Sequence, residues 1–348
     1  MEKEKFYKIF KKIPKSEIHL HTEGVISKKT AITMLSRKND DYKNAENVEK
    51  LFNYDNLKDF IKTFLLIQNS FEYLSDFKNL FNNICDYLRD NGIVYAELFF
   101  SPSLFVKNGW KFEDMLDVFT KKIKKIRKKY KIKIKIIIDV SRTFGIENAM
   151  KNLKNILKYN NKDIIGIGLG GDEVKGPAKM FKEVFQLAKE QGYRRVAHAG
   201  EDGGPQSVWD AINYLDAERI GHGISSINDE KLMDYLAKKQ IPLEISPTSN
   251  IFTKKYVDKI ENHPIKEFYK KGIITTLNTD DPTFFGVNLI DEYWNLYSKL
   301  GFSLDDLRNV IIYGFKASFL SKRDKKDYVR KVKKIWKKEI KADKSQEK

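Results

Sequence analysis

RRVAHAGEDGGPQSVWDAINYLDAERIGHGI, residues 194–224, holds the pattern that decides the fold. An apolar run, RRVAHAG (194–200), closes on a glycine. A helical pattern follows in SVWDAINYLD, and a second apolar run, ERIGHGI (218–224), completes the unit. Parallel strands cannot be joined by a tight turn, so strand, helix, strand is the signature of a parallel pair with a helical crossover. Each run also carries a histidine near its end, His198 and His222.

Working outward, the same unit repeats on both sides. Strands are expected at SEIHLHT (16–22), VYAELFF (94–100), IKIIIDV (134–140), IIGIGLG (164–170), PLEISPT (242–248) and IITTLNTD (273–280). Helical patterns such as AKMFKEVFQLAKEQG, NDEKLMDYLAKKQ and HPIKEFYKKG lie between them, and several stop at a glycine. Eight strands alternating with helices predict an α/β fold, a closed (β/α)8 TIM barrel. An open doubly wound sheet is the alternative. It lacks support, because no GxGxxG opens a helix after the first strand, and GIGLGGDE is followed by no long helix at once. Residues 1–348 read as a single barrel domain. The stretch between the first two strands, with DNLKDFIKTFLLIQNSFEYLSDFKNLF, is too long for one crossover. A helical cap within about residues 25–90 is expected over the barrel top, a packing embellishment of the barrel side being the alternative. A basic helix at about 323–344 is expected to dock through Val329, Val332, Ile335, Trp336 and Ile340, which share one side.

Composition narrows the classes. The net charge is +17, but the lysines are spread over nearly every helix, which reads as a generally basic surface rather than a nucleic-acid or membrane site. KKIKKIRKKYKIKIK (121–135) is the densest basic stretch and reads as a helix end running into a strand. No run of about 18 apolar residues predicts a membrane span, and the charged N-terminus does not read as a secretory signal. One cysteine, Cys85, excludes an internal disulfide and fits a reducing, cytoplasmic setting. A monomer acting on a small molecule is expected.

In such a barrel chemistry sits at the C-terminal strand ends. Four of the five histidines fall there: His19 and His21 on strand one, His198 on strand five, His222 on strand six. His263, which starts a helix, receives no role. Glu201, Asp280, Asp281 and Asp139 occupy the same rim. Three imidazoles from His19, His21 and His198 with the carboxylate of Asp280 make a borderline N/O donor set, best suited to zinc, with iron, cobalt or manganese less so. One ion is expected, since strand four offers no bridging lysine. Glu201, three residues past a ligand histidine, is placed to protonate a substrate atom, and His222 to orient a water or take its proton. Asp281, beside a ligand, is free to accept a hydrogen bond from substrate.

These motifs, HLHTEG, LGGDE, HAGE, IGHG, SPTSN and NTDDP, resemble the adenosine deaminase family of the amidohydrolase superfamily, in order from about residue 13 to about 320. The bias to lysine, asparagine and isoleucine, with the divergent first motif, looks like a malarial-parasite (Plasmodium) branch. The resemblance implies a zinc-dependent purine salvage enzyme that turns adenosine and 2′-deoxyadenosine into inosine and ammonia by attack of an activated water at C6. A related aminohydrolase on adenine or AMP is the alternative. It implies His19, His21, His198 and Asp280 as zinc ligands, Glu201 as proton donor to purine N1, His222 as the group that orients the hydroxide and acts as base, and Asp281 bonded to ring and water. The backbone of Gly171 is implied to meet N3, and Ser246 and Asn250 to support the site from behind. Asp172 is read as holding the glycine loop. The family's first motif is His-x-His-Leu-Asp-Gly; here it is His21-Thr22-Glu23-Gly24, so Glu23 brings the same charge to the ribose end on a longer arm. Asp139 stands where many relatives are uncharged. It is read either as a ribose-hydroxyl acceptor that leaves room for 5′-methylthioadenosine, or as a helix cap.

Overall fold

The computed structural model describes residues 1–54 and 57–346, of which 57, 58 and 341–346 are described by backbone only. Eight strands form one sheet in sequence order: β1 Lys15–His21, β2 Ile93–Phe100, β3 Lys133–Asp139, β4 Ile164–Gly168, β5 Arg194–Ala199, β6 Arg219–His222, β7 Leu243–Ile245 and β8 Thr275–Leu277. Every neighbouring pair is parallel. The ring closes where His21 N–H donates to the Asp280 carbonyl at 2.9 Å, beside a Leu20–Asp280 bridge. The expected barrel is therefore present, with β4 to β8 shorter than the sequence suggests, β7 and β8 most of all. β7 stops at Ile245 because Pro247 has no N–H to give a ladder and instead opens a short helix, Pro247–Thr253. β8 stops at Leu277, and Asp280 lies beyond it in a left-handed conformation (φ 66°).

Strand side chains alternate faces, so β2 sends Tyr95, Glu97 and Phe99 one way and its other residues the opposite way. Phe99, Ile137 and Val196 form a small apolar cluster of their own, and Phe319 packs against it. Around it lie buried charges: Glu97, Arg219 and Glu244 are each at most 1 % exposed. The large apolar core lies elsewhere, with Phe77, Phe81, Phe119 and Leu153 among its buried members.

The insertion after β1 holds helices Lys28–Leu35, Ala45–Leu51 and Leu57–Asn69 before the crossover helix Leu74–Asp90. Residues 55 and 56 of it lie outside the described residues. Its aromatic side chains meet the loops that follow β7 and β8. Phe60 stacks on Phe285 at 5.1 Å between centroids, Phe64 meets Phe284 at 5.6 Å, and Tyr54 meets Phe252 at 6.3 Å. The last helix, Lys322–Gln346, buries Val332 and Trp336; Trp336 stands edge-on to Phe10 at 5.7 Å, and Tyr328 stacks on Phe315 at 4.9 Å. Among the described residues no helix is long and apolar enough to cross a membrane.

Candidate metal centre and substrate pocket

β1 delivers two imidazoles into one space because His19 and His21 are two residues apart on a strand. β5 adds His198, with ring centroids 4.5 Å from His19 and 5.3 Å from His21. The Asp280 carboxylate arrives from beyond β8, its Oδ1 3.4 Å from His19 Nε2 and 3.2 Å from His21 Nε2. His222 closes the ring of groups, 5.0 Å from His19 and 5.1 Å from His198 between centroids. Both Asp280 and His222 hold positive φ, at 66° and 60°. Residues other than glycine adopt this only where the surroundings enforce it.

The donor set fits a divalent ion. Three triples bring their candidate ligand atoms within 4.8 Å of one another: His19, His21 and Asp280; His19, His198 and His222; Glu201, His222 and Asp280. Among them His19 Nε2, His198 Nε2, His222 Nε2 and Asp280 Oδ1 are buried without a hydrogen-bond partner. Buried polar atoms are ordinarily paired, so a convergent unpaired set is what a cation site looks like from the protein's side.

The groups behind the cluster sharpen this. Glu244 Oε2 lies 2.7 Å from His19 Nδ1. Burial alone would favour the neutral acid, but Arg219 holds the Glu244 carboxyl below its usual range, so it is ionised and accepts only. Glu244 therefore holds a proton on His19 Nδ1, which would leave Nε2 to turn a lone pair inward to a bound cation. Ser249 Oγ donates to Asp280 Oδ2 at 2.7 Å, and Asn278 Oδ1 accepts from the Ile18 and His19 backbone at 3.0 and 3.1 Å. Neither Glu244 nor Asn278 is expected from the sequence motifs. The available signal for Glu244 is a carboxylate inside the apolar run PLEISPT.

Glu201 faces the cluster, with Oε2 3.4 Å from His222 Nε2. Burial, then the charges of Asp280 and Glu173, raise its carboxyl well above the ordinary range. Its loop is pinned by Glu173, whose carboxylate accepts from the backbone N–H groups of Gly200, Glu201, Asp202 and Gly203 and from Ser207 Oγ. Glu173 stands in the LGGDE motif and has no role in the sequence reading. Asp281, next to Asp280, is raised well above its usual value by burial and then by Asp280, and its Oδ1 has no partner. Gly24 explains how it fits: a Cβ there would stand 2.3 Å from Asp281 Oδ1.

The remaining expected residues divide. Glu23 is fully buried and accepts from Gln68 Nε2 at 2.8 Å and Thr22 Oγ1 at 2.5 Å. Burial raises its carboxyl. Asp139 does not cap a helix, since Phe144 holds that position for Gly145–Tyr159. It accepts from Gly170 N–H at 2.7 Å and Ser101 Oγ at 3.1 Å, and so holds the glycine loop. That corrects the reading of Asp172, whose carboxylate serves the next turn by accepting from Lys175 N–H at 3.0 Å. Gly171 has φ 96° and a side chain would meet Thr143 Oγ1 at 2.8 Å, so its backbone can be approached closely. Ser246 is buried, but its hydroxyl reaches no partner. Asn250 Nδ2 lies 3.0 Å from His222 Nδ1. His263, assigned nothing from sequence, is buried with Nε2 3.2 Å from Asn250 Oδ1.

Comparison with known proteins identifies the family. Residues 14–335 match the family described as adenosine deaminase. An adenine deaminase of Wolinella succinogenes is 34% identical over 324 residues, covering 92% of this chain and 97% of its own. An adenosine deaminase of Clostridium botulinum is 33% identical over 325 residues, covering 91% and 97%. The crystal structure of an adenine deaminase from Arthrobacter aurescens superposes with TM-score 0.88 at 27% identity, covering 92% of this chain and 98% of that one. These relatives are bacterial, and nothing among them supports a malarial-parasite branch. With the motifs, the barrel and these matches in agreement, the chain belongs to the adenosine deaminase family.

Proposed function

We propose that the protein is a zinc-dependent aminohydrolase of 6-aminopurines, and that adenine is its preferred substrate, giving hypoxanthine and ammonia. The observation that supports the reaction is the clustering of His19, His21 and Asp280, and of His19, His198 and His222, at one end of the barrel, with Glu201 beside His222. A zinc ion held by those four residues would acidify a water towards a pKa of about 7. Glu201 gives its proton to N1, drawing electron density from C6. Asp281 and His222 flank the attacking water, and the N–H of Gly171 steadies N3. The aromatic side chains of Phe60, Phe64, Phe284 and Phe285 exclude bulk water from above, which strengthens each of these interactions.

The preference for the free base rests on Glu23. Its longer arm is fully buried against Gln68 and Thr22. On this reading it takes the place of a ribose and offers a carboxyl to N9–H. The adenine deaminases among the relatives support the same choice. Adenosine, the substrate first expected from the motifs, is the second reading. Asp139 and Ser101 favour it, since that pair is able to turn to a sugar hydroxyl, with 5′-methylthioadenosine as the extended case. AMP is disfavoured. Arg142, the buried cation that interacts with Asp139 and Glu201, is already committed to the carbonyls of Gly176 and His198.

Steady-state kinetics on adenine, adenosine and AMP test the reading. A higher kcat/KM on adenine than on adenosine is expected, and Glu23→Asp raises the adenosine-to-adenine ratio by about tenfold or more, as a shortened side chain reopens a pocket. Adenosine preferred by the parent protein would refute the adenine assignment. Glu201→Gln is expected to lose at least about 10²-fold in kcat with zinc still bound; full activity there removes Glu201 as the donor.

A further inference from the structure

His263 and Asn250 sit behind the site and touch no reacting atom, yet they fix where a proton lies. The order can be read from one unambiguous donor. Ile265 N–H points at His263 Nδ1 at 3.1 Å, so that nitrogen is an acceptor. A neutral imidazole with an accepting Nδ1 has its proton on Nε2. His263 is neutral, because burial pushes it down to about 3. Its Nε2–H therefore donates to the oxygen of Asn250, 3.2 Å away. That fixes which end of the Asn250 amide is oxygen and leaves the NH2 group to donate to His222 Nδ1 at 3.0 Å. His222 Nδ1 is then an acceptor as well, and its proton lies on Nε2. Nε2 points into the site, 3.4 Å from Glu201 Oε2 and 4.0 Å from Asp280 Oδ2, and makes a hydrogen bond to neither.

We infer that His263 and Asn250 are positioning residues that lock His222 as its Nε2–H tautomer, so that His222 donates a hydrogen bond to the attacking oxygen and does not take its proton. The inference rests on the aminohydrolase reading above and deepens it. It takes His222 out of the ligand set, since a protonated Nε2 has no lone pair for an ion. The water's proton then goes to an ionised carboxylate of the rim as its oxygen bonds C6, and Glu201 protonates N1. That carboxylate returns the proton to the departing amine as the C6–N bond breaks, and the new C6–OH gives its proton back to Glu201.

The test is the 15N spectrum of the zinc-loaded protein labelled at histidine ring nitrogens, read with kinetics on adenine and adenosine. The parent is expected to show His222 protonated on Nε2. Asn250→Asp, which can only accept at Nδ1, moves the proton to Nδ1 and lowers kcat by about 10²–10⁴-fold at near-constant KM, the scale of a wrong tautomer elsewhere. His263→Leu frees the amide to turn and lowers kcat about tenfold, and His263→Gln, which still donates to Asn250 Oδ1, restores it. His222 protonated on Nδ1 in the parent overturns the inference. So does a folded Asn250→Asp with parental kcat. Should His263→Leu not fold, Asn250→Asp decides by the same two readouts. Absence of turnover on either purine by zinc-loaded parent defeats the function proposed above, and the parent's tautomer is still read directly from the spectrum.

Discussion

His19 and His222 stand 5.0 Å apart on one rim, but their backs face opposite chemistry. Behind His19 lies charge. Glu244 bonds its Nδ1, Arg219 pairs with both Glu244 and Glu97, and Glu97 accepts from Tyr95 OH and Phe319 N–H at 2.6 Å each. Phe319 covers the Arg219 guanidinium at 3.8 Å. Behind His222 lies a neutral relay of an amide, a neutral imidazole and a backbone N–H. A carboxylate behind an imidazole turns a lone pair forward, and an amide NH2 behind it turns a proton forward. On the reading proposed above, the same side chain serves as a ligand on one side of the pocket and as a donor on the other.

The largest expected effect breaks the charged side. Arg219→Met leaves Glu97 and Glu244 buried without their cation and should cost about 3–5 kcal/mol in urea unfolding. A loss below about 1 kcal/mol would mean that the pairing carries little. Next, Glu244→Gln should weaken zinc about 10–100-fold in a chelator competition, because His19 loses the partner that sets its tautomer. Asn250→Asp, on the other side, should leave zinc affinity within about threefold of the parent. Equal losses in the two variants would erase the distinction drawn here.

The third effect is in pH. His263 is neutral and buried with its pKa near 3, against about 6.5 when unfolded. The unfolded chain binds the extra proton between those values, so this contribution is whole above about pH 6.5 and is lost as pH falls towards 3, at up to about 1.4 kcal/mol per unit. Urea midpoints at pH 7 and pH 5 should show a steeper decline for the parent than for His263→Gln. Parallel slopes would place the proton elsewhere.

The contrast also shows what a sequence conveys. His19, His21, His198, Glu201, His222 and the two aspartates were legible because strand alternation and strand ends are local properties. Glu244, Glu97 and Arg219 were hidden in runs read simply as apolar, although a charge inside a buried strand is itself a signal. The sequence offers no reason to join His263 to Asn250, since their pairing depends on the turn that His263 makes before Ile265–Lys270. β7 and β8 were overextended because Pro247 and the left-handed turn at Asp280 are breaks in geometry rather than in hydropathy.

The most direct test of the whole account is anomalous diffraction at the zinc edge from crystals of the zinc-loaded protein. One peak bonded to His19, His21, His198 and Asp280, with His222 facing it through an intervening oxygen, is the predicted result. A peak ligated directly by His222, or no peak among these residues, would contradict it.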